Sequence, residues 1–178
     1  MGSRRRGRVA AFQAIYAMDM TAVWDRGRPV PEELLALSWL EETERAALGA
    51  TADFFRLLLC GAAENRKAVD ALIRKHLAHW DFSRLNRVDR ALLRLGVYEL
   101  MNRTAPPSVI IDEAIDISRE YGTDESYRFV NGVLDGVRKT MESENRADEA
   151  ETVKPENRAG EPETVKPGNR KSKTVEGA

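Results

Sequence analysis

The sequence predicts an all-α domain over residues 1–141, followed by a tail over residues 142–178. Three observations support this fold class. Apolar residues recur at helical spacing along the first 141 residues, capping residues and prolines separate the apolar segments, and no segment alternates like a strand between hairpin turns. Since 42% of the 178 residues are apolar and 32% are charged, the domain has the composition of a globular protein with a buried core.

The first helix is predicted over residues 4–20. Its apolar residues fall on one side, and they are Val9, Ala11, Phe12, Ile15 and Tyr16. Gly7 weakens the first turn by ~1 kcal/mol relative to alanine, so we expect the arginine-rich start to be frayed. A connection rich in glycine and proline is predicted over residues 24–31, and a short amphipathic helix with acids in its first turn over residues 32–40.

The next two helices are predicted to be the longest and the most apolar. Apolar residues continue at helical spacing from Ala50 to His79, which predicts one unbroken helix that ends before Trp80. Asn86 is a favourable N-cap for the following helix, with Asp89 at its third position. That helix is apolar nearly all round, so it should be the most buried element, and it ends before the prolines at 106 and 107.

Two further helices complete the predicted domain. Ser108 is expected to cap a helix over residues 109–121, which Gly122 closes at the position where glycine is preferred. Thr123 or Asp124 is then expected to cap a final helix that reaches about residue 141.

The tail has a different composition from the domain. ENRADEAETVKP at residues 144–155 recurs as ENRAGEPETVKP at residues 156–167, with ten of twelve positions identical. The repeat has no aromatic residue, one valine per copy and a proline at each boundary, so it cannot bury enough apolar surface to offset the entropy of ordering it. We therefore predict a disordered tail over residues 142–178, and a stacked solenoid is the alternative that the repeat leaves open.

Charge is uneven along a chain whose formal net charge is -1. Of its 28 basic and 29 acidic residues, 7 and 9 lie in the tail, which leaves 21 and 20 in the first 141 residues, a net charge of +1. Any nucleic-acid surface must therefore be local. The densest cluster of one sign is the arginine head, which we define as Arg4, Arg5, Arg6 and Arg8.

The sequence offers little for catalysis or for binding a cofactor. His76 and His79 have a spacing that suits a metal, but no second pair of ligands is near, and two such histidines are more often surface or capping groups. Asp112, Glu113 and Asp116 lie in the first turns of a predicted helix, where the helix dipole favours acids. No glycine-rich phosphate loop and no nucleophile motif is present. We expect no enzyme activity, no cofactor and no metal.

The sequence also predicts a cytoplasmic protein that does not bind a membrane. One cysteine, Cys60, excludes an internal disulfide. The uncharged stretches are far shorter than the ~20 residues that span a bilayer, and the arginine-rich start is not followed by the apolar region of a secretory signal.

The arginine head favours RNA as a partner. Arginine neutralises phosphates and also stacks on exposed bases or donates to base edges. Gln13 and Tyr16 follow on the same predicted helix, and a tyrosine beyond an arginine cluster offers a stacking surface for a single-stranded base. Two alternatives stay open, namely that Tyr16 is a half-buried core residue and that the arginine head is a solvated end without a ligand.

Four segments resemble the family of the transcription antitermination factor NusB, in the same order and spacing. They are RRRGRVAAFQAIY at residues 4–16, NRVDRALLRLGVYEL at 86–100, VIIDEAIDISREYG at 109–122 and ESYRFVNGVLD at 125–135. The chain departs from the family pattern at Gly7, where alanine is more usual, and at Val9, where a glutamate is. Both differences leave the arginine head less helical, although they do not change its charge.

The resemblance implies a compact fold of about seven helices in two halves that binds single-stranded boxA RNA of nascent rRNA transcripts. It also implies a heterodimer with NusE, a small-subunit ribosomal protein, as part of an RNA polymerase antitermination complex that supports rRNA synthesis. The residues expected to contact RNA are Arg4, Arg5, Arg6, Arg8, Gln13, Tyr16, Asp89, Arg94, Glu125, Arg128 and Phe129. In that arrangement the two carboxylates would accept hydrogen bonds from base amino groups.

The resemblance places NusE on the C-terminal helices. The expected partner face carries acids that suit a basic ribosomal protein, and it consists of Glu99, Ser108, Asp112 and Asp116. Two other functions remain open. The chain could be a NusB-like homodimer or interaction scaffold whose arginine surface is masked. It could also be a detached accessory domain of an rRNA methyltransferase, although nothing after residue 141 could form a cofactor-binding sheet.

Overall fold

The computed structural model describes residues 2–77 and 80–152. Nine α-helices and two short 3-10 turns make up the regular structure of these residues, and no strand occurs among them. The helices are α1 Ser3–Met20, α2 Val23–Arg26, α3 Glu32–Leu35, α4 Glu42–Leu48, α5 Ala52–Glu64, α6 Arg66–Lys75, α7 Arg87–Asn102, α8 Pro107–Tyr121 and α9 Ser126–Thr152, and the turns are Gly49–Thr51 and Phe82–Arg84. The all-α prediction is confirmed for the described residues.

Helix α7 is the centre of the packing. It contacts α1, α5, α6, α8 and α9, so that two groups of three mutually packed helices, α1/α5/α7 and α7/α8/α9, share it. Its residues from Ala91 to Leu100 are all buried, which confirms the prediction that this helix is the most buried element. The N-cap is also as predicted, because the side-chain oxygen of Asn86 accepts a hydrogen bond from the backbone N–H of Val88 at 3.0 Å.

The helix predicted over residues 50–79 is in fact two helices, α5 and α6. Asn65 separates them, and both its side-chain amide and its backbone N–H donate to the Gly61 carbonyl, at 2.9 and 3.1 Å. The side-chain amide competes in this way with the backbone N–H for the Gly61 carbonyl, and the Asn65 backbone departs from helical geometry with φ -92° and ψ 11°. The apolar spacing continues across the break because Leu59 before it and Val69 after it are both fully buried. The periodicity therefore predicted the buried face correctly and the continuity wrongly.

The segment before α5 also differs from the prediction. The helix predicted over residues 32–40 ends at Leu35, and Leu37 takes a left-handed conformation with φ 56°. Helix α4, which we did not predict, begins with a capping box in which the backbone N–H of Glu41 donates to the Glu44 carboxylate at 3.3 Å. Glutamate is not among the preferred N-cap residues, so the sequence carried only a weak indication of this start. Helix α2 is likewise a short addition within the predicted connection.

Helix α8 starts at Pro107, so Ser108 lies inside it and does not cap it. Proline suits the first position of a helix because its φ is fixed near the helical value. Gly122 follows α8 with φ -93°, so a left-handed conformation does not explain the glycine. A Cβ atom at Gly122 would instead lie 2.6 Å from the Ser118 carbonyl oxygen and 2.6 Å from Ser126. Glycine is therefore needed here for the close approach of α8 and α9.

Helix α9 continues to Thr152, past the predicted end of the domain at residue 141. The first part of the predicted tail is thus helical, which corrects the expectation of disorder over residues 142–152. Ion pairs support this extension, since Arg138 binds Glu142 at 2.8 Å and Lys75 of α6 binds Glu144 at 3.4 Å. Residues 153–178 lie outside the described residues, and the disorder predicted for them stays a prediction.

Among the described helices, none is long and apolar enough by itself to cross a membrane. One strongly bent pair, α4 with α5, meets the criteria of length and composition only when the two helices are taken together.

Candidate nucleic-acid interface

The arginine head forms the first turns of α1, and its members have different surroundings. Arg4 is exposed, with its guanidinium 5.4 Å from the centre of the Phe54 ring. Arg6 is half-buried, and its Nε is buried without a hydrogen-bond partner in the described part of the chain. The fraying expected from Gly7 is not seen, because α1 is helical from Ser3. A Cβ at Gly7 would lie 3.1 Å from the Phe54 ring, so this glycine lets α1 approach α5 closely.

Arg5 is held by a row of acids on α8. Its Nη1 lies 3.5 Å from the Glu113 carboxylate and 3.3 Å from that of Asp116, and its Nη2 lies 3.5 Å from that of Glu120. Spacings of three and four residues place the three acids on one face of the helix. A residue predicted to contact RNA therefore touches a residue predicted to contact the protein partner. The two predicted surfaces are adjacent and share this ion pair.

Arg8 differs from the rest of the arginine head because its side chain is buried. Its Nε and Nη2 each donate to the Glu99 carboxylate at 2.9 Å, and the Thr104 hydroxyl donates to the same group at 2.7 Å. Arg8 is 3% exposed and Glu99 is 1% exposed. The structure thus corrects two predictions: Arg8 does not present its charge to RNA, and Glu99 does not belong to an exposed partner face.

Arg94 was also predicted to contact RNA, and the structure places it in the core. Its guanidinium binds the Asp70 carboxylate at 2.8 and 3.1 Å and the Asp19 carboxylate at 2.7 Å, and it lies 4.4 Å from the centre of the Trp24 ring. Arg90 makes a second ion pair with Asp19. We call Arg94, Asp19 and Asp70 the buried ionic triad. Because it joins α1, α6 and α7, its role is structural.

Gln13 and Tyr16 lie together on a cavity of about 250 Å³, which we call the aromatic cavity. It is lined by Phe12, Gln13, Tyr16, Val88 and Tyr121. The rings of Phe12 and Tyr121 are 5.3 Å apart with their planes tilted by 57°. A cavity with aromatic walls and one amide is suited to an unstacked base, which such rings stack on and polar groups recognise at its edge. Tyr16 is half-buried, a position that agrees with both interpretations of it.

Tyr121 is a site residue that we did not predict. It is 37% exposed, and it lines both the aromatic cavity and a neighbouring cavity of about 300 Å³ that includes Arg6, Gln13 and Glu44. Burial and the nearby Glu120 carboxylate raise the pKa of its hydroxyl, so Tyr121 is a neutral hydrogen-bonding group at physiological pH. The sequence indicated it only as an aromatic residue at the end of a predicted helix.

Asp89 stands next to Val88 at the start of α7, and it is buried. It is 8% exposed, and its Oδ1 has no hydrogen-bond partner in the described part of the chain. Burial raises the pKa of this carboxyl, and a hydrogen bond with the Ser126 hydroxyl opposes that rise. Leaving a buried acceptor without a donor is costly. Asp89 Oδ1 is thus a buried acceptor without a donor, and Asp89 is the neighbour in sequence of Val88, which lines the aromatic cavity.

The start of α9 carries the remaining predicted RNA contacts. Glu125 and Arg128 are exposed and bind each other at 3.0 Å. Phe129 is half-buried, and its ring centre lies 6.2 Å from that of Trp80, an exposed residue in the segment before α7. An exposed ion pair contributes about 0–1 kcal/mol, so RNA could open the pair between Glu125 and Arg128 at small cost.

The predicted partner face is reduced by the burial of Glu99. Ser108, Asp112 and Asp116 remain, and all three are exposed at intervals of four residues along α8. Asp116 is shared with Arg5, as described above, and also pairs with Arg119 at 3.4 Å. The remaining face is therefore a short row of polar and acidic groups bordering the arginine head.

No group of three or more His, Cys, Asp or Glu side chains that could hold a metal ion occurs within residues 2–77 and 80–152. His76 lies 3.3 Å from the Thr140 hydroxyl, and burial lowers the pKa of its imidazole. His79, the other histidine considered for a metal, lies outside the described residues. Cys60 is half-buried, and burial raises the pKa of its thiol, which disfavours the reactive thiolate.

Comparison with known proteins agrees with the fold and with the order of these segments. The model of the NusB family matches residues 5–139. The chain belongs to the NusB family. Two relatives are the transcription antitermination proteins NusB of Treponema pallidum (strain Nichols), 45% identical over 140 residues, and of Sorangium cellulosum (strain So ce56), 40% identical over 142 residues. The matches cover 77% and 79% of this chain and 93% and 95% of those proteins.

Solved NusB structures have the same fold. T. maritima NusB is 38% identical with a TM-score of 0.63, and the match covers 76% of this chain and 90% of that one. A chain from the crystal structure of the antitermination factors NusB and NusE in complex with dsRNA is 27% identical with a TM-score of 0.63, and the match covers 79% of this chain and 98% of that one.

Proposed function

We propose that the chain is a transcription antitermination factor that binds boxA RNA of nascent rRNA transcripts together with NusE, and so supports rRNA synthesis in the cytoplasm. The observation that carries the proposal is the aromatic cavity, in which the rings of Phe12, Tyr16 and Tyr121 lie together with the Gln13 amide. Aromatic rings next to an amide can recognise a base by both its face and its edge, as proteins that read single-stranded RNA do.

The RNA surface that we propose differs from the predicted set in three residues. Arg8 and Arg94 leave it because they are buried in ion pairs, and Tyr121 joins it because it lines the aromatic cavity. The remaining residues are Arg4, Arg5, Arg6, Gln13, Tyr16, Asp89, Glu125, Arg128 and Phe129. With only three arginines left in the exposed head, the chain alone has few phosphate contacts, so we expect it to bind RNA weakly without a partner.

NusE is the partner that we propose, within the RNA polymerase antitermination complex. Ser108, Asp112 and Asp116 form the candidate contact, since a row of acids attracts a basic ribosomal protein. Support for the pairing also comes from the similarity to the NusB chain that was solved with NusE and dsRNA. Because Asp116 also holds Arg5, NusE bound at this row would act directly on the arginine head.

The test is a titration of fluorescently labelled boxA RNA with the full chain, with and without NusE. Stacking on Tyr16 predicts that Tyr16→Ala weakens binding by about 1–3 kcal/mol, while Tyr16→Phe, which keeps the ring, has little effect. NusE should raise the affinity at least tenfold, which is ~1.4 kcal/mol of coupling. Thermal unfolding of each variant is the control. If Tyr16→Ala lowers thermal stability but leaves RNA affinity unchanged, Tyr16 is a core residue and the result counts against the proposal.

A homodimeric or scaffolding function is the second candidate, and the acids around Arg5 favour it because they mask part of the arginine head. It predicts that boxA RNA binds no better than an unrelated RNA of equal length, even with NusE present. It also predicts a dimer in sedimentation experiments at micromolar concentration. Specific binding of boxA RNA by the monomer would contradict it.

A further inference from the structure

We infer that Trp80 and Phe129 form a second base-stacking surface for single-stranded RNA, separate from the aromatic cavity. The inference rests on the proposed RNA-binding function and extends it to a residue outside the set predicted from the sequence. The two rings are 6.2 Å apart at their centres, and their planes are tilted by 58°. We call Trp80 and Phe129 the aromatic platform.

The exposure of Trp80 is the first argument. Trp80 is 64% exposed, more than any other large hydrophobic residue in the described part of the chain, and the next is Leu57 at 53%. The only other partly exposed tryptophan, Trp39, uses its indole N–H to donate to the Gln13 side chain. A large aromatic ring that stays in water beside a second ring offers a face for a ligand, since aromatic rings stabilise contacts mainly through the area that they bury.

The segment that presents Trp80 is internally bonded. The backbone N–H of Trp80 donates to the Leu77 carbonyl at 2.8 Å. The Asp81 carboxylate accepts hydrogen bonds from both the backbone N–H and the hydroxyl of Ser83, each at 2.8 Å, and it thereby caps the following 3-10 turn. Phe82 packs beneath the Arg74 guanidinium, 4.2 Å from its ring centre. These contacts support the backbone at Trp80 and in the turn that follows it.

Charge indicates RNA as the occupant. Arg84 and Arg87 follow Trp80 in sequence and are exposed. Arg128 precedes Phe129 on α9 and is also exposed, in the ion pair with Glu125 that RNA could open at small cost. Cations beside stacking rings are what single-stranded nucleic acids bind, through their phosphates and their bases. The one acid of this segment, Asp81, is occupied by its own turn. A basic protein such as NusE would meet like charge here, whereas the acids of α8 would attract it.

The platform is also continuous with the proposed RNA surface. Asp89, the neighbour in sequence of Val88 of the aromatic cavity, lies near Ser126 at the start of α9. Phe129 lies one helical turn further along α9, on the side where it meets Trp80. An RNA strand that places one base in the aromatic cavity therefore has a path across the start of α9 to the aromatic platform.

The test compares Trp80→Ala, Trp80→Phe and the control Leu57→Ala, which removes an exposed apolar side chain from α5. Two RNAs are titrated, boxA RNA and the same RNA with three added nucleotides at each end. Trp80→Ala should weaken binding of the longer RNA about fivefold or more, with Trp80→Phe in between and Leu57→Ala unchanged. If the shorter RNA loses affinity as well, the stacked base lies within boxA and the inference still holds. Affinities within twofold of the unsubstituted chain for both RNAs would overturn it.

Tryptophan fluorescence gives a second readout. In a Trp39→Phe chain, Trp80 is the only exposed tryptophan, because Trp24 is buried at 1% exposure. RNA should quench this exposed emission, and a Trp39→Phe/Trp80→Phe chain should show no such change. Quenching by NusE alone, without RNA, would assign the platform to a protein partner and overturn the inference.

The two proposals fail in different ways. If Tyr16→Ala weakens RNA binding and Trp80→Ala does not, only the aromatic platform is refuted. If the unsubstituted chain does not bind boxA RNA, the proposed function fails with it.

Discussion

The ion pairs around Arg5 predict that the chain restrains its own arginine head. Arg5 must leave the carboxylates of Glu113, Asp116 and Glu120 before it can contact a phosphate. Replacing Asp116 by Asn and Glu120 by Gln removes two of the three charged partners. We therefore expect this double substitution to increase RNA affinity in the absence of NusE.

The size of the increase follows from the exposure of the pairs. Arg5 is 20% exposed, whereas Asp116 and Glu120 are 54% and 48% exposed, so water and salt screen both contacts. Exposed pairs contribute about 0.2–1 kcal/mol each, and two of them correspond to a gain of about 2- to 30-fold in RNA affinity. The gain should shrink as salt is raised, since screening weakens the restraint as well as RNA binding.

The assay is a boxA RNA titration at low and at physiological salt, arranged as a double-mutant cycle. The same two substitutions in an Arg5→Ala chain should produce no gain, because the restrained group is absent. A matched control is Asp112→Asn with Asp53→Asn, which removes two exposed charges that do not touch Arg5. An equal gain in the Arg5→Ala chain would show a general effect of net charge. That result, or no gain at all, would refute the restraint.

Two further predictions concern stability. Arg94→Ala should lower the free energy of unfolding by about 3–5 kcal/mol in urea titrations, because it leaves the buried Asp70 carboxylate without its cation and Asp19 with Arg90 alone. Replacing all three residues of the triad by apolar or amide residues should recover most of the loss. A small effect of the single substitution would show that the triad is hydrated. Burial raises the pKa of the Asp89 carboxyl, so the folded state keeps the carboxyl protonated to higher pH than the unfolded state does. The stability that the protonated carboxyl contributes is therefore lost as pH rises through the folded pKa. Asp89→Asn should therefore add stability at neutral pH and little below the ordinary aspartate pKa, and a difference independent of pH would contradict this.

Periodicity and capping predicted the parts of the fold that depend on local chemistry. The Asn86 cap and the buried α7 are local features, and both are observed as expected. The errors arose where tertiary contacts decide. Asn65 breaks a continuous apolar pattern by bonding to Gly61, and Gly122 is required by its distance to Ser118 and Ser126 rather than by its own conformation. A single sequence does not reveal such contacts.

The candidate site shows the same division. Residue types located the arginine head and the Tyr16 helix, but they did not distinguish exposed arginines from Arg8 and Arg94, whose charges are neutralised in the core. An arginine that binds RNA and an arginine that binds a buried carboxylate look alike in sequence. Tyr121 and Trp80 were missed because a single aromatic residue in a sequence is expected to be buried, whereas the structure shows both to be exposed.

The length of α9 determines how far its C-terminal end lies from the proposed RNA surface. At 1.5 Å per residue, its 27 residues extend for about 40 Å, more than the diameter of a small domain. The first turn of the helix borders the proposed RNA surface, so Thr152 lies roughly that distance away from it along the helix axis. The first copy of the repeat begins at Glu144, so its helical part occupies the end of α9 that is remote from this surface. This end of the helix gives the experimenter a distant position for a fluorophore.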